Sequence, residues 1–113
     1  MHALLVTFRP QAPEAEIEGS FGPKMMATIP ATKGLIMKTL MASGPDRWGS
    51  FYLFDTPAAA EGYLSGSFFT EFRSSPMLSD FEIQHFEVDD HPSAAFGTPS
   101  LPLASAASAA AAS

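Results

Sequence analysis

Residues 34–43 read GLIMKTLMAS, and residues 48–54 read WGSFYLF. Both runs have strand length and are rich in branched or aromatic side chains. Between them lies SGPDR (43–47), where Pro45 presets φ and Asp46 suits a turn. The pair therefore reads as a hairpin, with strand two at Leu35–Ala42 and strand three at Trp48–Phe54. Lys38 is the anomaly, a charge in the middle of an apolar run. Strict alternation puts Ile36, Lys38 and Leu40 on one face and Leu35, Met37, Thr39 and Met41 on the other. The second set is the better face to lay against helices, so Lys38 is expected to point away from them.

Upstream, ALLVTF (3–8) reads as a first strand, ended by RPQAP. From Glu14 onward, Ile17, Phe21, Met25 and Ile29 recur at every fourth position, a helical spacing. Gly19, Gly22 and Pro23 fall inside this pattern, and an interior proline costs about 3 kcal/mol. A break is expected near Gly22, with Pro23 opening a second segment. Downstream, Thr56 suits an N-cap and Pro57 the first helical position, ahead of AAAEGYL. SGSFFTEFRSS reads as a further short helix with Phe68, Phe69 and Phe72 on one side. DFEIQHFEV (80–88) is a fourth strand. After Asp90 the chain turns Pro- and Ser-rich, and ASAASAAAAS (104–113) is low in complexity and reads as disordered. The expected organisation is one domain over residues 1–99 and a flexible Pro/Ala/Ser-rich tail over 100–113.

The order strand, helix, strand, strand, helix, strand is the split βαβ arrangement of an α+β, ferredoxin-like fold with a four-stranded antiparallel sheet. Right-handed crossovers place the helices on one face of the sheet. The strands carry apolar residues on both faces, so the other face is expected to meet the sheet of a second copy. That makes a homodimer built as an α/β barrel.

Composition narrows the function classes. The chain has 113 residues, 46% of them apolar, and no cysteine, which excludes disulfides and thiolate chemistry. Its formal charge is −6 without a basic cluster, so neither nucleic acid nor an anionic membrane is an expected partner. No leader segment and no run of membrane-span length is visible, which reads as cytoplasmic. The three histidines lack metal-ligand spacing, so no metal is expected. A phosphate-binding glycine loop, a nucleophile elbow and a Ser/His/Asp set are all missing from the sequence.

GLIMKTLMA, WGSFYLFDTPAAAEGYLSGSFF and SSPMLSDFEIQHFEVDDHPS together resemble the YdhR-like family of small monooxygenases, within the dimeric α/β-barrel superfamily. The match runs from about His2 to Pro99. It implies a homodimer with a pocket in each subunit and an activity like that of cofactor-independent monooxygenases. Such an enzyme would abstract a proton from a small aromatic or polyketide-like substrate and oxygenate it without flavin or metal. A cyclase or isomerase of a polyketide-type intermediate uses the same groups, and a non-catalytic dimer carrying a hydrophobic ligand uses the same pocket.

Three residues stand out as candidate catalytic groups. His85 suits proton transfer because imidazole titrates near neutrality; its plainer reading is a histidine at a strand edge or interface. Lys38 can hold an enolate or phenolate oxygen, or can simply snorkel. Tyr52 can donate a hydrogen bond to a carbonyl or phenol, or can be a core aromatic with a local partner. Trp48, Phe8, Phe54 and Phe86 are the expected apolar wall around a substrate.

Overall fold

Among residues 1–89, which the computed structural model describes, the elements are β1 (His2–Pro10), α1 (Glu14–Thr28), β2 (Leu35–Ser43), β3 (Arg47–Phe54), α2 (Pro57–Ser65), α3 (Ser67–Arg73) and β4 (Leu78–Glu87). The strands form one antiparallel sheet in the order β2-β3-β1-β4, so the chain is α+β and ferredoxin-like, as its element order predicts. The domain end at 99 and the tail over 100–113 lie outside the described residues. No helix among the described residues is long and apolar enough to cross a membrane.

The helix-side face carries Leu4, Val6 and Phe8 of β1 and Tyr52 and Phe54 of β3. They pack with Ile17 and Phe21 of α1, Ala60 and Tyr63 of α2, and Phe68, Phe69 and Phe72 of α3. Thr56 caps α2 by accepting the Ala59 N–H at 3.1 Å, and Pro57 follows it in the first turn.

Two local expectations are corrected. First, α1 does not break at Gly22. It runs through Pro23 without interruption. Proline normally crowds the Cβ of the residue before it, and Gly22 has none. The carbonyl that loses its donor belongs to Gly19, which is exposed and can bond to water.

Second, Lys38 faces the helices. The β2–β3 register shifts between Leu35 and Met37: Leu35 lies opposite Phe54, and Lys38 lies opposite Tyr52. This bulge absorbs one residue, so Leu35 and Lys38 share a face that strict alternation would split.

Among the described residues no helix lies over the opposite face of the sheet. Met41 is 39% exposed and Phe86 46% exposed there, beside half-buried Leu5 and Phe51.

Candidate active site

α1 is tied to α3 more than to the sheet. Phe21 meets Phe68 and Phe72 edge-on at 6.4 and 4.9 Å, and Lys24 pairs with Glu71. The helix therefore bridges over the β2–β3 half of the sheet and leaves a cavity of about 860 Å³ beneath it. Ile17, Phe21 and Met25 form its roof, Val6, Phe8 and Trp48 its apolar floor, and Lys38, Ser50 and Tyr52 its polar corner. The volume suits a ligand of a few fused rings.

The polar corner is a hydrogen-bonded row. Lys38 Nζ donates to the Tyr52 hydroxyl at 3.2 Å and lies 4.7 Å from the centre of the Tyr52 ring. The Tyr52 hydroxyl shares a 2.8 Å hydrogen bond with that of Tyr63. Burial lowers the Lys38 ammonium from 10.5 to about 8, because the charged form loses water there. Burial also raises the Tyr52 phenol, against hydrogen bonds from Tyr63 and Ser50 that lower it. Tyr63 is raised as well, first by burial and then by Tyr52 beside it. Both phenols therefore stay neutral where Lys38 titrates.

Of the residues singled out in the sequence, Lys38, Tyr52, Trp48 and Phe8 line this one cavity. Phe54 is fully buried and stacks on Tyr52 with ring centres 6.0 Å apart, so it supports the site from behind. Phe86 lies on the helix-free face.

His85 lines neither this cavity nor the second one described below. Its Nδ1 is 2.9 Å from Nε2 of His2. Lys38, Tyr52, Leu4 and His85 form one cross-strand row, β2 to β4, so three strand spacings separate Lys38 from His85. That is about 14 Å, too far to share a substrate atom.

Tyr63 was not singled out in the sequence. Its position in an Ala-rich helix signals burial, but nothing local names a partner for its hydroxyl. A second cavity of about 760 Å³ lies on the far side of Tyr63, lined also by Thr28, Thr32, Gly34, Asp55 and Thr56. Among the described residues no cluster of three or more His, Asp or Glu could hold a metal ion.

No protein-family model matches the chain, and no curated protein is significantly similar to it. Solved structures do share its fold. A protein of unknown function from Nitrosomonas europaea, NE2512, is 20% identical with a TM-score of 0.63, over 77% of this chain and 87% of that one. SnoaB, a cofactor-independent oxygenase from Streptomyces nogalater, is 19% identical with a TM-score of 0.62, over 78% and 92%. An antibiotic biosynthesis monooxygenase is 13% identical with a TM-score of 0.63, over 79% and 99%. The ferredoxin-like fold of this chain is thus the one those monooxygenases carry.

Proposed function

We propose that the chain is a cofactor-independent oxygenase for a small aromatic substrate with an activated CH2 group, of the anthrone type, in the YdhR-like branch of the fold. The observation that carries this reading is Lys38, a lysine lowered to about 8 by burial in the polar corner of a largely apolar cavity that also presents Phe8, Phe21 and Trp48. Neutral Lys38 takes a proton from the CH2 group, and the ammonium formed stays beside the resulting enolate oxygen. Tyr52 steadies the lysine. Trp48 and Phe8 hold the rings. The electron-rich anion then reacts with O2; one oxygen atom enters the substrate as a ketone, and the other leaves as water with the two hydrogens of the CH2 group. SnoaB, with the same fold, is a cofactor-independent oxygenase, which favours this chemistry. His85 has no part in this scheme.

Anthrone itself is the test probe. Purified protein in air is expected to convert it to anthraquinone above the uncatalysed rate, with one O2 consumed per molecule. Binding of anthrone without conversion would point instead to a cyclase, an isomerase or a carrier.

The same reading includes a homodimer closed through the helix-free face. Leu5, Met41, Phe51 and Phe86 give that face the apolar character of an interface core. Light scattering is expected to return about twice the chain mass of 12.0 kDa. Phe51 sits at the middle of the face on a central strand. Phe51→Lys buries two unpaired charges in a symmetric dimer and should weaken association by more than about 100-fold. An unchanged mass at micromolar concentration would refute that interface.

A further inference from the structure

A neutral lysine is a nucleophile as well as a base, and the surroundings of Lys38 suit the first role too. A lysine becomes a covalent catalyst where apolar walls favour its neutral form and a hydroxyl close by can move protons. Lys38 and Tyr52 both line the cavity beneath α1, and Lys38 Nζ is 3.2 Å from the Tyr52 hydroxyl. That hydroxyl is held in place by a 2.8 Å bond to Tyr63, and its ring by Phe54 at 6.0 Å. Among the described residues the ion pairs are Arg9 with Asp46 and Asp80, Lys24 with Glu71, and Arg47 with Glu82, and Lys38 belongs to none of them. It is half-buried, so a carbonyl compound in the cavity can reach its amine. Trp48 stands four residues along β3 from Tyr52, about 13 Å away. That distance leaves room for a two-ring aryl group beyond a carbonyl at Lys38.

We infer that Lys38 is also an imine-forming nucleophile, which gives the cavity a second activity: cleavage of aryl β-hydroxyketones into an aryl aldehyde and a ketone, with the Tyr52 hydroxyl moving the first proton. The Lys38 Nζ lone pair forms a C–N bond to the ketone carbon, and the carbonyl π pair moves to oxygen. Tyr52 passes a proton from nitrogen to that oxygen, receiving one as it gives one. The carbinolamine then loses its remaining N–H proton and its hydroxyl as water and leaves a neutral imine. The imine nitrogen takes the proton of the β-hydroxyl, the bond between the α- and β-carbons breaks, and the aldehyde departs. The electron pair of that bond forms the C=C bond of an enamine, and the C=N π pair returns to nitrogen. Water hydrolyses the enamine to the ketone and free Lys38. One water is released and one taken up, with no net oxidation or reduction. This activity goes beyond the oxygenase reading and shares with it only the neutral amine. The anthrone carbonyl is conjugated to two rings and resists condensation, so that substrate loses a CH2 proton instead.

Acetylacetone is the first probe, because its condensation with an amine loses water and stops at a conjugated enaminone that absorbs in the near ultraviolet. One equivalent per chain is expected to react, and peptide mass mapping should place it on Lys38 rather than on the other lysines, Lys24 and Lys33. Tyr52→Phe keeps the ring and should slow enaminone formation about tenfold. The second probe is the aldol of acetone with naphthaldehyde, whose cleavage releases a fluorescent aldehyde. The unaltered protein should cleave it at least about 100-fold faster than an equal concentration of a free alkylamine. Lys38→Met should lose that excess. Label shared evenly among the lysines, or cleavage no faster than the free amine, would overturn the inference. An unchanged enaminone rate in Tyr52→Phe would overturn the part given to Tyr52. The two activities fail separately. Anthrone turnover without an enaminone on Lys38 refutes the imine and leaves the oxygenase; aldol cleavage without anthrone turnover does the reverse.

Discussion

Lys38→Met is expected to abolish anthrone turnover, by at least about 100-fold in kcat, and to make the protein more stable. Both effects have one cause. The Lys38 ammonium is held beneath α1 with the ring and hydroxyl of Tyr52 in place of water, and its titration falls from 10.5 to about 8. A lowering of that size corresponds to about 3 kcal/mol of unfavourable burial. The penalty is complete below pH 8, where lysine is charged in both folded and unfolded chains. It shrinks as pH rises from 8 to 10.5 and is gone above that, where both are neutral. Methionine keeps the apolar stem and carries no charge. Allowing for the lost hydrogen bond to Tyr52, the variant should gain about 2 kcal/mol at pH 7, or about 10 °C in Tm. The gain should vanish in melts at pH 11. For the unaltered protein, kcat/KM should rise with pH and level off above about 8, where Lys38 is neutral. Equal stability at pH 7, or a flat pH profile, would show that Lys38 is hydrated and is not a base.

How much of this was legible in the sequence follows from how far each interaction reaches along the chain. The hairpin, the four strands and the Thr56–Pro57 helix start rest on contacts within a few residues, and the ferredoxin-like order follows from them. The direction of Lys38 was misread because a bulge at the start of β2 is invisible to a period-two count. One absorbed residue turned the lysine from the helix-free face to the cavity. α1 was misread as broken because proline's cost was weighed without Gly22 before it and the exposed Gly19 four residues back. Trp48, Phe8, Lys38 and Tyr52 were found as unusual or aromatic residues on strands. That they meet in one cavity depends on α1 being drawn towards α3 by Phe21 and Lys24, a contact across about fifty positions. Tyr63 could not be found at all, since what joins it to Tyr52 is a hydroxyl–hydroxyl contact between a helix and a strand.

The second large effect is expected from a residue with no side chain. Gly49 lies in β3 opposite Thr7 of β1, at the pairing of the two central strands. A Cβ placed on it would stand 2.2 Å from the Val6 carbonyl oxygen, 2.9 Å from Thr7 Cγ2 and 3.0 Å from Thr7 Cα. Two of these are backbone atoms, so no rotamer change gives relief; the strands themselves must part. Parting β1 from β3 breaks the ladder that also sets Tyr52 opposite Leu4 and, through β2, Lys38 opposite Tyr52. Gly49→Ala should therefore cost about 4 kcal/mol or more, a large share of a small domain's stability. It should lower Tm by at least about 15 °C and abolish turnover in the fraction that still folds. Gly62→Ala makes the contrast, because Gly62 lies in α2 and has nothing within 4 Å of its would-be Cβ. There the methyl meets no atom and the helix gains about 0.5–1 kcal/mol. Urea melts of the two variants check both signs at once. If Gly49→Ala melts within about 1 kcal/mol of the unaltered protein, the central strands are not packed as closely as described. The alignment of Lys38 with Tyr52, on which the site depends, would then be lost as well.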